Sequence, residues 1–337
     1  MRFGIFSVVD HYPSELPRST QQLYGELLDQ AEAAEELGFQ SFWIAEHHFH
    51  EYGAIPRPPV WISAAAQRTR RIRLGAAVAV LPFENPVRTA EDYAMVDILS
   101  GGRLEMGVGS GYLEHEFEGF GIDPGEKRQR FDESLEILLQ AWAGDRFSYE
   151  GAYYQVKDIA LNVVPIQKPR PPVSVAILRN EAAPFVGQKR LPIMMIPYAT
   201  SEHISELAVT TRKFREAFSL AGGAAESATV HFGLHTHCAE STAKARADAE
   251  VAVNRYVRTR LYARQRTFGS LIEKDLVAIG DPDEIVRVAR LYESAGLTDF
   301  LIIGNFGGLA HELVLRSMEL IARHVLPEFQ HPLSHVC

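Results

Sequence analysis

The residues with the clearest chemical potential lie at the end of an apolar run. Ser41–Ala45 is typical of a buried strand, and Glu46, His47 and His48 follow it directly. In parallel barrels and open α/β sheets, ligands bind at the carboxyl ends of the strands. The pattern therefore predicts that one carboxylate and two imidazoles lie at a ligand-binding mouth.

Three interpretations of this tract are open. Histidine and carboxylate side chains bind zinc or iron, which would make the tract a metal site. Successive strand residues point to opposite faces, however, so His47 and His48 could share a metal ion only across a kink. The other interpretations are acid–base catalysis by one imidazole tuned by a carboxylate, and a structural histidine hydrogen-bonded beneath a loop.

A glycine-containing turn, Gly109-Ser110-Gly111-Tyr112, is the second candidate. It follows the apolar segment Leu104–Val108, its glycines would let backbone N–H groups approach an anion, and Ser110 can donate a hydrogen bond. The turn lacks the Gly-Lys-Ser/Thr of a nucleotide triphosphatase and the third glycine of the dinucleotide fingerprint. It is therefore either a small-ligand contact or an ordinary turn.

Two further patterns carry weaker signals. Arg128 opens an amphipathic helix, where a cation is unfavourable next to the helix dipole unless an anion lies there too. It is therefore either a phosphate clamp or part of a solvated face.

His235 and His237 are two residues apart on a predicted strand, so their side chains lie on the same side of it, as those of metal ligands would. The carboxylates and lysine of metal-dependent hydrolase barrels cannot be assigned, and the chain has no Gly-x-Ser-x-Gly elbow of a serine hydrolase.

The elements that must position these residues alternate between strand and helix. Apolar segments predict eight parallel strands: Arg2–Val9, Ser41–Ala45, Ile72–Leu81, Leu104–Val108, Val173–Leu178, Leu191–Ile196, Ala228–Thr236 and Phe300–Ile303. Helices follow the strands, which favours an eight-stranded parallel α/β barrel of the TIM type over a doubly wound sheet. We expect one domain over residues 1–337, with insertions near 145–165, as a hairpin, and 264–278, as a mobile loop.

Composition narrows the class of protein. The 337 residues are 46% hydrophobic and carry a net charge of −9, which disfavours nucleic acid and anionic membranes as partners. Two cysteines, Cys238 and Cys337, do not make a disulfide framework and suit a reducing compartment. With no signal-peptide pattern and no membrane-length apolar run, we expect a soluble cytoplasmic protein.

The order of motifs along the chain resembles the bacterial luciferase-like, flavin-dependent monooxygenases, in a non-luminous form. The resemblance covers most of the chain. Its most specific parts are Phe42–Phe49, Arg73–Val78, Leu81–Pro82, Asn85–Arg88, Ala90–Asp92, Ser100–Leu104, Gly107–Tyr112, Glu116–Gly121, Gly280–Pro282 and Asn305–Gly308.

The resemblance implies an eight-stranded barrel, usually a homodimer, that binds FMN at the strand carboxyl ends. A separate flavin reductase supplies reduced FMN, which reacts with O₂ to give a flavin hydroperoxide that oxidises a small apolar organic substrate. Exclusion of water lets the oxygen reach the substrate instead of being lost as hydrogen peroxide.

The resemblance also assigns roles residue by residue. His47 matches the catalytic imidazole, and Glu46 lies beside the flavin. Ala77–Val78 matches a non-proline cis peptide under the flavin ring. The remaining cofactor-binding positions are Ser110, Gly111, Tyr112 and the phosphate-binding Arg128.

Departures from the family pattern refine these expectations. Luminous members carry a cysteine near position Gly109 and an arginine at Ser110, so this chain is expected to be non-luminous. Small hydroxyl residues that hold the phosphate are replaced by Ile177–Asn180, where Arg179 is expected to substitute. A deazaflavin-dependent hydride-transfer enzyme and a non-catalytic flavin-binding partner subunit remain alternatives, and Gln265–Val277 is a candidate lid.

Overall fold

Eight parallel strands close into a barrel in the computed structural model, which describes residues 1–51, 53–260 and 265–329. The barrel strands are β1 (Arg2–Ser7), β2 (Ser41–Ile44), β3 (Arg73–Val80), β4 (Leu104–Gly109), β7 (Val173–Ala176), β8 (Ile193–Met195), β9 (Val230–Cys238) and β11 (Asp299–Ile303). They pair in that order, and β11 pairs with β1 to close the ring. The predicted α/β barrel of the TIM type is confirmed, and the doubly wound alternative is wrong.

The other described elements surround or extend this ring. The helices are α1 (Thr20–Glu36), α2 (Pro58–Arg68), α3 (Pro86–Leu99), α4 (Glu114–Phe120), α5 (Lys127–Ala143), α6 (Ala183–Gln188), α7 (Pro197–Thr200), α8 (Ile204–Leu220), α9 (Thr242–Thr259), α10 (Phe268–Glu273), α11 (Pro282–Ser294), α12 (His311–His324) and α13 (Leu326–Phe329). The remaining strands are β5 (Phe147–Glu150), β6 (Gln155–Ile159) and β10 (Ala278–Gly280). None of the described helices is long and apolar enough to cross a membrane.

Local sequence explains where the helices next to the site begin and end. Ser19 caps α1 by accepting a hydrogen bond from the Gln22 N–H, and Gly38 turns the chain toward β2 with a φ of 87°. Asn85 caps α3 in the same way, and Pro86 supplies the preset φ of its first turn. These capped helices return the chain to the start of the next strand, and because the barrel strands all pair parallel, their carboxyl ends lie at one face.

Side chains fill the barrel interior beneath that face. The rings of Trp43 and His231 lie 5.5 Å apart, and the His231 Nε2 lies 3.1 Å from the Ser174 Oγ. A Cβ on Gly75 would lie 2.1 Å from the Trp43 ring, so this glycine makes room for the indole. The filled interior leaves the carboxyl-end mouth as the place for a ligand.

Five short helices among the described residues, α4, α6, α7, α10 and α13, were not predicted. The hairpin expected at 145–165 is confirmed, because β5 and β6 pair antiparallel. The segment 264–278, expected to be a mobile loop, contains the helix α10 at residues 268–273, where Thr267 is the N-cap and Leu271 is buried. Its mobility stays a prediction, and residue 264 lies outside the described residues. Helices α4 and α6 were not predicted, because six or seven residues are too few for a helical period to emerge.

Candidate active site at the barrel mouth

Two carboxylate–imidazole pairs lie where β2 ends. The His47 Nδ1 is 3.1 Å from the Glu116 Oε1, and the His48 Nε2 is 3.2 Å from the Glu46 Oε1. The two imidazoles thus engage different carboxylates, in agreement with the alternation of strand residues. Within the described ranges, no group of three or more His, Cys, Asp or Glu side chains could hold a metal ion.

The Glu116 carboxylate, which is buried on α4, fixes the orientation of His47. Its Oε1 also accepts a hydrogen bond of 2.9 Å from the His48 backbone N–H. Burial lowers the pKa of His47, and the nearby carboxylate of Glu116 opposes that shift. A neutral imidazole facing an ionised Glu116 carries its proton on Nδ1, which leaves Nε2 as the basic atom.

The Glu46 side chain joins the ends of β2 and β3. Its Oε1 faces the His48 ring, and its Oε2 accepts a hydrogen bond of 3.4 Å from the Val80 N–H. Glu46 is buried, and burial raises the pKa of its carboxyl group, although hydrogen bonding to His48 acts in the opposite direction.

The second wall of the mouth is a bulge in β3. Ala76 lies opposite Met106 and Ala79 opposite Val108, so Ala77 and Val78 together face one residue of β4. The Ala77–Val78 peptide bond is cis. Ala77 is buried, and Val78 is half-buried, so the bulge presents small apolar side chains at the mouth.

The glycine-containing turn lies beside this bulge. A Cβ on Gly109 would lie 2.6 Å from the Val78 Cγ2, so the bulge depends on a glycine in β4. Gly111 has a φ of 74°, which favours glycine. The Tyr112 ring, which follows Ser110 and Gly111, meets the His47 ring edge-on at 6.1 Å between centroids. The turn is therefore joined to His47 through Tyr112 and to Val78 through Gly109.

Arg128 and Arg179 lie on the outer parts of the chain around the mouth, and the ion pair of Arg128 is with Asp132 on its own helix. Arg128 is exposed in the first turn of α5, and its Nε donates a hydrogen bond of 2.7 Å to Asp132. The Lys189 ammonium lies 3.7 Å from the same carboxylate. Arg179 is exposed and lies beyond the end of β7. Their assignment to a phosphate remains a prediction.

Sequence reasoning missed a buried ion pair near His47. Asp10 follows β1 and pairs with the Arg260 guanidinium, and both side chains are almost inaccessible to solvent. The Asp10 Oδ2 also accepts a hydrogen bond of 2.8 Å from the Gly307 N–H. Asp10 was detectable as the polar end of an apolar strand, whereas Arg260 ends a helix and carries no local signal.

An aromatic cluster surrounds His235 on the far side of this pair. The Arg260 guanidinium lies 3.7 Å from the Tyr256 ring centroid, and the His235 ring lies 4.1 Å from the same ring. Burial, with the Arg260 charge, lowers the pKa of His235 to about 3. His237 has a different neighbour, since its Nε2 lies 3.6 Å from the Asp248 carboxylate. The two histidines therefore do not form a common site.

These features fit a flat heteroaromatic cofactor. Val78, half-buried on the β3 bulge beside Gly109, offers an apolar surface for a ring system. His47, held by Glu116, offers an imidazole at the same mouth. Arg128 would be the cation for a phosphate group. The fold and the site define a parallel α/β barrel with a ligand-binding mouth, built around a carboxylate-held histidine.

The chain belongs to the luciferase-like monooxygenase family, whose sequence profile matches residues 1–298. An uncharacterized protein of Sinorhizobium fredii is 40% identical over 183 residues, 54% of this chain and 52% of that protein. The chain thus spans about half the length of that relative. The 4-hydroxyprotoasukamycin monooxygenase of Streptomyces nodosus subsp. asukaensis is 29% identical over 329 residues, 92% of this chain and 88% of that protein.

Solved structures agree with this assignment. The crystal structure of monooxygenase RslO1 from Streptomyces bottropensis has a TM-score of 0.91 and 30% identity, and the match covers 98% of this chain and 100% of that chain.

Relatives differ in the cofactor that their names state. The oxygenase component of the flavin-dependent trigonelline monooxygenase of Acinetobacter baylyi is 25% identical over 98% of this chain and 96% of that protein. The F420-dependent glucose-6-phosphate dehydrogenase of Amycolatopsis mediterranei is 33% identical, but over only 45% of this chain and 46% of that protein.

Proposed function

We propose that this protein is an FMN-dependent monooxygenase that uses reduced FMN and O₂ to oxidise a small apolar organic substrate. The observation that carries the proposal is the His47–Glu116 pair, which lies at the same mouth as the apolar bulge Ala77–Val78. Membership of the luciferase-like monooxygenase family supports it. The FMN would supply the two electrons with which O₂ is activated.

The chain's own residues would orient the reactants and move protons. The His47 Nε2 accepts or returns a proton at the reacting centre, while Glu116 keeps the Nδ1 proton in place. Ala77 and Val78 exclude water from one face of the ring site. Ser110, Gly111 and Tyr112 supply polar contacts from the neighbouring strand end.

The phosphate of FMN would bind outside the barrel rim. Arg128 is the candidate cation, and Arg179 is its proposed substitute for the family's hydroxyl residues. Arg128 is paired with Asp132, so binding of a phosphate would have to keep or replace that ion pair. A homodimer and a separate flavin reductase belong to the same proposal, and the reductase is supported by the relative named as an oxygenase component.

A deazaflavin-dependent hydride transfer is the second candidate, because a relative named for F420 is 33% identical over 159 residues. The full-length relatives named monooxygenases favour FMN. A non-catalytic partner subunit is disfavoured by the retained His47, Tyr112 and Arg128.

Anaerobic titration of the purified protein with reduced FMN and with reduced deazaflavin distinguishes the cofactors. We expect tight binding of reduced FMN, and exclusive binding of the deazaflavin would contradict the proposal.

The catalytic role of His47 is tested by His47→Ala and Glu116→Gln. We expect His47→Ala to retain reduced FMN but to lose at least about 100-fold in turnover, because a positioned acid–base group contributes that much. Glu116→Gln retains an acceptor for the His48 N–H but removes the carboxylate that orients His47, so turnover falls less. Oxygen uptake with chemically reduced FMN measures both.

The matched control is His324→Ala, which removes an exposed imidazole at the end of α12. Turnover of this variant should equal that of the unmodified protein. Full turnover by His47→Ala would show that another group moves the proton.

A further inference from the structure

A small cavity lies behind the Glu46 carboxylate, between β3, α2 and α3. Its volume of about 10 Å³ is enough for one water molecule. The polar groups that line it are Glu46, Arg57, Glu84, Thr89 and Tyr93. An apolar cavity stays dry, but a cavity with several polar walls binds water. The lining therefore points to a bound water.

The Tyr93 hydroxyl is the strongest sign of such a ligand. Tyr93 is only 2% exposed, and its hydroxyl has no hydrogen-bond partner among the described residues. A buried hydroxyl without a partner is destabilising, so native proteins usually satisfy it with protein or ordered water. A water in the cavity would satisfy Tyr93, since both line the same space.

The cavity also connects the mouth with the protein surface. On one side, Glu46 contacts the His48 Nε2 at the mouth. On the other side, Glu84 pairs with Arg57, and their side chains are 25% and 38% exposed. Arg57 also pairs with Asp92. The charged and titratable groups around the cavity are therefore Glu46, His48, Arg57, Glu84, Asp92 and Tyr93.

We propose that one ordered water, held by the Tyr93 hydroxyl, bridges Glu46 and Glu84 and relays protons between the surface and the Glu46–His48 pair. A proton that arrives at Glu84 passes to the water, which gives one of its own protons to Glu46. Glu46 then gives that proton to the His48 Nε2 and returns to its starting state, and the reverse sequence resets the chain. Glu84, the water and Glu46 each accept one proton and release one, His48 holds the delivered proton, and no group changes its oxidation state. The relay role rests on the proposed function, whereas the water site does not.

Thermal unfolding of Tyr93→Phe tests the water site without any flavin. If the water is bound, the variant loses a hydrogen bond, and Tm falls by about 2 °C. If the cavity is dry, the variant loses only an unsatisfied hydroxyl, and Tm stays or rises. Tyr292→Phe is the matched control, because Tyr292 is fully buried and its hydroxyl donates a hydrogen bond of 2.7 Å to the Asp275 carbonyl.

Diffraction to high resolution gives the direct readout. We expect a water within hydrogen-bond distance of the Tyr93 hydroxyl and the Glu46 carboxyl. An empty cavity, with an unchanged or raised Tm for Tyr93→Phe, would overturn the site.

The relay is tested by the turnover of Tyr93→Phe and Glu84→Gln with reduced FMN. We expect kcat to fall about tenfold with an unchanged KM, and the solvent deuterium isotope effect on kcat to rise, because proton delivery becomes slower. Unchanged kcat and isotope effect would overturn the relay and leave a structural water. Absence of any flavin-dependent turnover in the unmodified protein would instead contradict the proposed function, while the Tm and diffraction results would still decide the water site.

Discussion

At the scale of single residues, two buried histidines, His47 and His235, have neighbours that affect their pKa values differently. Burial lowers the pKa of both His47 and His235. The Arg260 charge adds to this lowering at both histidines, but only His47 has a carboxylate, that of Glu116, to oppose it. In the proposed mechanism His47 would therefore gain and lose a proton, while His235 would stay neutral. The difference between these two histidines comes from their neighbouring charges, since both are the same residue type and both are buried.

The low pKa of His235 predicts how the free energy of unfolding depends on pH. Its pKa is about 3 in the folded protein and near 6.5 in the unfolded chain. The unfolded state therefore binds more protons below pH 6.5, and stability is lost as the pH falls toward 3. Between pH 7.5 and pH 5 this histidine should account for a loss of about 2 kcal/mol in the free energy of unfolding.

Urea unfolding of His235→Phe at the two pH values checks this. The variant keeps an aromatic ring between Tyr256 and Phe306 but cannot bind a proton, so its stability should fall by about 2 kcal/mol less than that of the unmodified protein. Equal losses in both proteins would contradict the assigned pKa.

Residue-level contacts were the hardest part of the site to predict. His47 was identified because it ends a strand, but its partner Glu116 lies 69 residues away on a helix too short to show a period. Asp10 and Arg260 are separated by 250 residues. Such pairs form only because the barrel brings residues that are far apart in the chain together at the mouth. No local pattern in the sequence shows which distant residues will meet.

At the scale of elements, the strand ends of β3 and β4 form one unit. The β3 bulge puts Val78 toward β4, and Gly109 provides the space for its side chain. The bulge could not be read from the apolar run Ile72–Leu81, because a bulge interrupts strand pairing without interrupting hydrophobicity. Only the resemblance to the luciferase-like family indicated an unusual peptide at Ala77–Val78. The strands themselves were predictable because each is a short apolar run bounded by turn residues.

Gly109→Ala should disrupt this unit. The new Cβ would lie 2.6 Å from the Val78 Cγ2, and valine is too stiff to move away alone. We expect a loss of about 1–3 kcal/mol in the free energy of unfolding, together with weaker binding of reduced FMN. Denaturant unfolding and anaerobic titration measure the two effects.

Gly25→Ala provides the control within α1. Apart from the backbone of α1 itself and the two neighbouring residues, no atom lies within 4 Å of the new Cβ, so the substitution should raise the free energy of unfolding by about 0.5–1 kcal/mol. Unaltered stability and FMN binding in Gly109→Ala would show that the bulge tolerates a side chain in β4.

At the scale of the whole molecule, an apolar patch on the outside of the barrel bears on the predicted homodimer. Met95, Ile98 and Leu99 share one face of α3. These three side chains are 43–51% exposed. Exposed apolar side chains grouped in this way are typical of protein–protein contacts.

We predict that this patch joins two copies of the chain. Sedimentation velocity of the purified protein should give a dimer, and Met95→Lys with Leu99→Lys should give a monomer because two charges would be buried without partners. Leu220→Lys is the control, since Leu220 is 90% exposed on α8 and should leave the dimer intact. A dimer that survives both patch substitutions would place the contact elsewhere.

Beyond the end of β2, Glu46 and His48 contact each other, whereas His47, between them, contacts Glu116. His47 and His48 engage different carboxylates, so a shift of β2 by one residue along β1 and β3 would put His48 or Glu46 in the place of His47. A single inserted or deleted residue before Glu46 would do the same without changing any side chain. The register of β2 therefore decides which residue meets Glu116, and a transplant of this tract into another barrel would have to keep that register as well as the sequence.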